Sequence, residues 1–177
     1  MSLALRLLAC AALIALAFYD IRFRRLPTQL VAAVACLFLI DALCAGDPIS
    51  LILRHVGAAA VALAIGFALF APGWIGGGDA KMASAIFMWT GPALAWPVLV
   101  IVAAMGLPVA LISWVASRAH ATVRTASSAG QPDAPAGRLR VMLGWWSARR
   151  GVPYGVALAA GGCAALWLPV MFHLPRF

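Results

Sequence analysis

Glutamate is absent from this chain, and aspartate supplies all five acidic side chains against 13 Lys and Arg. Charge of either sign is scarce, at 10% of 177 residues, where soluble domains carry about 25%. Hydrophobic residues make up 65% of the chain and its mean hydropathy is +1.01. That balance excludes a soluble domain with one apolar helix and predicts a polytopic membrane protein. C-x-x-C pairs are also missing. Cys10, Cys36, Cys44 and Cys163 lie singly in or beside apolar runs, which argues against a zinc site and an external disulfide framework and leaves small apolar packing as their role. His55, His120 and His173 form no ligand-spaced cluster, so neither a metal nor a cofactor is expected. The net charge of +8 would suggest nucleic acid in a soluble protein, but nothing here resembles a nucleic-acid fold. Between spans the same excess is a topology signal and an attraction to anionic membrane lipid.

What is present is a series of long apolar runs. Crossing the hydrocarbon core takes about 20 residues, or about 17 at the short end. Leu3 to Tyr19, Gln29 to Ala45 and Leu51 to Ala71 supply three spans. Ala80 to Trp89 is a short fourth helix that the turn signal Thr90-Gly91-Pro92 ends. Ala93 to Ser117 is a fifth, with Pro97 and Pro108 as expected kinks, and Tyr154 to Phe172 is a sixth. The fold class is therefore all-α, a bundle of about six transmembrane helices. Residues 118–153 differ in kind. Thr122 to Gly137 is rich in Ser, Ala, Gly and Pro and reads as a flexible loop. From Arg138 to Arg150, Leu139, Met142, Leu143 and Trp146 share one helical face flanked by arginines, as in an amphipathic helix lying on an anionic leaflet. No internal repeat is evident.

With the N-terminus outside, ten Lys and Arg fall on inner segments (Arg22, Arg24, Arg25, Lys81, Arg118, Arg124, Arg138, Arg140, Arg149, Arg150). Three (Arg6, Arg54, Arg176) fall on outer ones. This positive-inside bias sets the orientation and makes 118–153 a cytoplasmic loop. Arg6, a short apolar stretch and Ala15-Leu16-Ala17 imitate a cleaved secretory leader. The arginines at 22, 24 and 25 would then have to cross the membrane, and the charge bias opposes that reading.

The same orientation brings two of the rare acids to one membrane face. Asp20 ends the first apolar run, in Tyr19-Asp20-Ile21-Arg22, and a basic hairpin closed by Leu26-Pro27 follows. Asp79 stands in Gly76-Gly77-Gly78-Asp79-Ala80-Lys81, at the start of the short helix. A carboxylate at a membrane border is costly to desolvate and is a functional-site candidate. Two on one face suggest an aspartyl pair that shares a proton and activates water. Each acid also has a plainer reading: Asp20 pairs with Arg22 or Arg24, and Asp79 caps its helix behind a glycine hinge. Of the other acids, Asp41 and Asp47 fall at the opposite face and Asp133 in the loop. A third segment, Gly151-Val152-Pro153-Tyr154-Gly155, reads alone as a turn with an interfacial Tyr at the entry to the last span.

Taken together, these three segments resemble the type IV prepilin peptidases, membrane aspartic peptidases of the G-x-G-D type. Members carry an acid followed by a basic hairpin ending in Ile/Leu-Pro, then G-x-G-D-x-K, then P-Y-G before the last helix. The resemblance covers the chain from Tyr19 to about Gly161 and links it more loosely to presenilin-like proteases. It implies a catalytic pair of Asp20 and Asp79, with Arg22, Gly76, Gly78, Lys81, Pro153, Tyr154 and Gly155 as active-site support. It implies a prepilin or pseudopilin substrate, cut after a Gly that precedes an apolar helix, at the cytoplasmic face of a bacterial inner membrane. On this reading residues 1–177 are a single membrane-embedded peptidase domain.

Two departures stand out. Thr28 occupies the place after Pro27 where the family commonly has Asn. Nothing matches the additional cytoplasmic domain, with its paired C-x-x-C cysteines and N-methyltransferase activity, that full-length members carry. The likeness is to the short form found with Flp-type (tight adherence) pilus systems. From a different class, a small transporter or pilus-assembly factor using Asp20 and Asp79 as proton or cation sites stays open, although such sites favour the middle of spans. A general intramembrane protease would share the mechanism and differ in the partner it cuts.

Overall fold

The computed structural model describes residues 3–23, 26–128 and 154–171. All of its regular structure among these residues is helical: α1 (Leu3–Phe23), α2 (Thr28–Ala45), α3 (Ile49–Phe70), α4 (Gly77–Thr90), α5 (Ala95–Ser128) and α6 (Tyr154–Met171). Arg24, Arg25, the amphipathic segment Arg138 to Arg150, Asp133, Pro153 and His173 lie outside the described residues.

The breaks between helices follow from a few residues. Pro27 and Pro48 hold extended backbone and open α2 and α3, where a missing N–H costs nothing. Gly46 closes α2 with a left-handed φ of 70° and its N–H on the carbonyls of Ala42 and Leu43. Gly73, at φ 79°, closes α3, with Gly73 N–H on Phe70 O and Trp74 N–H on Leu69 O.

Two expectations are corrected in α5. Pro97 falls in the first turn of that helix, where no intrahelical bond is lost, so only Pro108 is an interior proline. The helix also continues through Ser128, eleven residues beyond Ser117 and into the stretch read as loop. The physical reason lies in the sequence: after Pro108 no Gly or Pro occurs before Gly130, and Ala, Ser and Thr alone do not break a helix.

α1, α2, α3 and α5 are long and apolar enough to cross a membrane. Their outward faces carry large apolar side chains such as Leu7, Ile14, Val61 and Leu111, the arrangement of an integral membrane protein whose solvent is lipid. α4 has only 14 residues. It occupies the middle of the bundle, packed against α3, α2 and α6. Met82, Ala85, Ile86 and Trp89 of α4 join Leu13 and Leu16 of α1, Val34 and Phe38 of α2, and Leu166 of α6 in one core. Small residues let these helices close up, as membrane packing requires. A Cβ on Gly66 would stand 2.7 Å from Ala80 Cβ, and one on Gly161 would stand 2.5 Å from Val102 Cγ2. α5, by contrast, packs on α6 and touches α4 only slightly.

Away from the two marked acids, a second polar group is buried near the starts of α1 and α3 and the ends of α2, α4 and α6. Arg6 and Asp41 are 8% and 2% exposed, so neither is the interfacial group their positions near helix ends predict. Arg6 donates to Leu166 O at 3.3 Å. His55 is a packed histidine: its ring stacks on Phe38 and its Nδ1 bonds Met88 O at 2.9 Å.

Candidate active site

α1 runs past the expected Tyr19 boundary to Phe23, so Asp20 is held on a rigid helix rather than at a frayed end. Its position on the face that also presents Leu13 and Leu16 turns it inward, and it is buried. Asp79 lies in the first turn of α4, ahead of that helix's apolar stretch and outside the four spans. The two carboxylates line a single polar cavity of about 390 Å³ with Leu26, Thr28, Lys81 and the three glycines 76–78.

The glycines act through space and not through unusual backbone, since none of the three has a positive φ. A Cβ on Gly78 would stand 2.9 Å from Leu26 Cβ, so its absence lets the start of α4 press against the α1–α2 connection. A Cβ on Gly76 would lie 2.9 Å from Asp79 Oδ2, so the carboxylate folds back over bare backbone. Gly155 does the same for the other acid. Its N–H donates to Asp20 Oδ2 at 3.0 Å, and a Cβ there would be 2.8 Å from that oxygen. The first turn of α6 is thus keyed to Asp20 across 135 positions of sequence.

Burial is the main influence on Asp79, and the neighbouring Asp20 charge adds to it. Together they push its carboxyl up from 3.8 to about 6, against a smaller opposing pull from a hydrogen bond with the Gly76 backbone. The sign of the stability effect follows. Between about pH 4 and 6 the folded chain holds a proton that the unfolded chain releases, so this stabilising contribution is full at low pH and is lost as pH rises through 6. Asp79→Asn should therefore raise thermal stability in detergent at pH 7.5, by about 1–3 kcal/mol, with little gain at pH 4. An equal gain at both pH values, or a loss at 7.5, would show that the carboxyl is not held this way.

The remaining expected site residues are placed less uniformly. Lys81 reaches across the cavity mouth, its Nζ 3.4 Å from Thr28 Oγ1. Tyr154 is 45% exposed and lines a neighbouring apolar groove together with Asp79. Arg22 is exposed and sits over the Phe23 ring, 5.5 Å from its centroid; it does not line the cavity. Leu26 and Thr28 were not anticipated as cavity residues. The signal available for them was their place beside Pro27 at the tight α1–α2 turn.

A helical bundle of membrane-crossing length, with two carboxylates in one polar cavity at its end, defines an integral membrane protein with an ionisable site at its border. A family model described as the type IV leader peptidase family matches residues 7–111, a stretch that contains both acids. The chain belongs to the type IV leader peptidase family. Among curated proteins and among solved structures nothing matches it.

Proposed function

We propose that the chain is an aspartic endopeptidase that removes the leader of Flp-like type IV prepilins or pseudopilins at the cytoplasmic face of a bacterial inner membrane. The observation that carries this reading is the shared cavity: two carboxylates from helices far apart in sequence line one polar space in a chain of the leader peptidase family. The Flp-type assignment rests on the resemblance of the three sequence segments, and the cytoplasmic face on the distribution of Lys and Arg. Basic residues from Arg118 onward would meet anionic lipid.

In the mechanism, Asp20 and Asp79 share one proton, and the productive form is the one with that proton on Asp79 and with Asp20 ionised. Asp20 takes a proton from water as its oxygen attacks the scissile carbonyl carbon, and Asp79 gives its proton to the carbonyl oxygen. The tetrahedral diol then collapses: the C–N bond breaks, the leaving nitrogen takes the proton from Asp20, and Asp79 recovers its own. Gly155 N–H fixes one Asp20 oxygen, which leaves the other for water. Gly76 and Gly78 let the substrate backbone approach, and Lys81 and Thr28 border the side where a polar leader would lie. Tyr154 opens α6, and Pro153 precedes it in the sequence.

The test is direct. The purified chain in vesicles is incubated with a prepilin, and the products are weighed intact. One cut immediately before the apolar segment is expected. Absence of any cut, in a preparation that is folded and inserted, would favour the transporter or assembly-factor reading of the two acids.

A further inference from the structure

Two apolar clefts flank α4, because α5 leans on α6 and leaves α4 largely uncovered. One, of about 600 Å³, lies between α3, α4 and α5, with Gly57, Ala62 and Leu69 on its α3 wall and Arg54 toward one end. The other, of about 360 Å³, lies between α4, α5 and α6, with Ala103, Gly106, Leu107 and Ala110 on its α5 wall and Ala157 on α6. The larger cleft reaches neither acid. The smaller one has Asp79 in its wall, and Asp79 also lines the polar cavity that holds Asp20. Size and chemistry point to different clefts, and the chemistry decides: only the smaller groove continues into the aspartyl site.

We infer that the groove between α4, α5 and α6 is the seat of the substrate's apolar helix, which enters sideways from the bilayer and reaches Asp79 with its first two turns. This rests on the peptidase reading above and specifies which surface selects the substrate. The continuity at Asp79 identifies the occupant. A chain lying through both spaces must be polar on one side of the cleaved bond and apolar on the other. The α5 wall from Val102 to Ala110 rises about 12 Å, two turns of helix. Leu107 is 74% exposed, so the groove opens laterally. Gly106 lowers the wall enough for a second helix to approach, the use membrane helices make of small residues. A Cβ there meets only Ala157 Cβ, at 4.0 Å, so this glycine is not needed for packing within the chain.

That last point yields a clean experiment, because Gly57 in the other cleft has nothing within 4 Å of a Cβ either. Gly106→Leu and Gly57→Leu each place the same side chain in one cleft, on a Cβ that meets no internal clash. With the full chain in vesicles and an intact prepilin as probe, Gly106→Leu should raise KM at least tenfold with kcat within threefold of the parent. Gly57→Leu should leave both unchanged. Ala103→Leu, at an exposed position of the same wall, should repeat the KM effect and decides the matter if Gly106→Leu accumulates poorly. The reverse pattern, or unchanged KM in both groove variants while the parent cleaves, overturns the assignment of the groove alone. A parent that cleaves nothing removes the peptidase reading, and this inference falls with it.

Discussion

Leader cleavage should be lost in Asp20→Asn and in Asp79→Asn, each by at least about 10³-fold, while both variants should still accumulate in the membrane. The size follows from what each carboxyl does. An amide keeps the volume and the hydrogen-bonding capacity but neither takes a proton from water nor gives one to a carbonyl, and general acid–base steps are worth roughly 10²–10⁴ each. Because the two act as a unit, the double variant should be little worse than either single one. Asp47→Asn, half-buried in the α2–α3 turn at the far end of α2, should cleave like the parent. Asp41→Asn is a poor control, since that side chain is 2% exposed and its replacement disturbs a buried polar group. A co-expressed prepilin, followed by its mobility shift, reports the outcome. Near-normal processing by either single variant would remove the aspartyl mechanism and move a proton or cation site ahead.

Gly155→Ala should cost about 10²-fold in kcat with little change in KM. One methyl group suffices, because it would stand 2.8 Å from Asp20 Oδ2, 2.9 Å from Cγ and 3.0 Å from Cβ. No real Cβ tolerates three such approaches, so either the carboxyl swings or the first turn of α6 backs away. Both outcomes lengthen the 3.0 Å bond from Gly155 N. Misplacing a catalytic group by about 1 Å is enough for a loss of this order. Gly57→Ala is the matched control, since its new methyl meets nothing within 4 Å. Retention of more than half the parental rate by Gly155→Ala would mean that the contact does not position Asp20.

How much of this was written in the sequence depends on the kind of force involved. Hydropathy locates each helix well, because exclusion of polar backbone from lipid acts on every residue of a span. It also brings the two acids to one end, since that depends only on counting crossings. The end of α5 was misjudged because Ser and Ala are common in loops yet compatible with helix, and only Gly130 and Pro132 carry a true break signal. Asp41 and Arg6 count with the outer-face residues because both sit near helix ends. Their burial depends on which way each helix is rotated, which a nearly uniform apolar sequence does not encode. The service of Gly155 to Asp20 was hidden for a similar reason: a glycine's lack of a side chain reveals where space is needed but not whose space it is. Thr28, which reads as a mild change at a helix start, stands in the cavity wall, within reach of Lys81.

The brevity of α4 has a consequence for the bilayer itself. Fourteen residues make a rod about 21 Å long, some 9 Å less than the hydrocarbon thickness it would need to cross. Its Asp79 end lies level with the start of α2, where Lys81 Nζ stands 3.4 Å from Thr28 Oγ1. At the other end the Trp89 indole N–H is bonded to Val34 O at 2.8 Å, well inside α2, so the shortfall collects at the end away from Asp79. There the lipid must thin or water must descend to meet the helix. The aspartyl end keeps its place at the membrane border. A substrate helix would then need to unravel only its first turn to be cut, and the rest could stay dissolved in the membrane throughout.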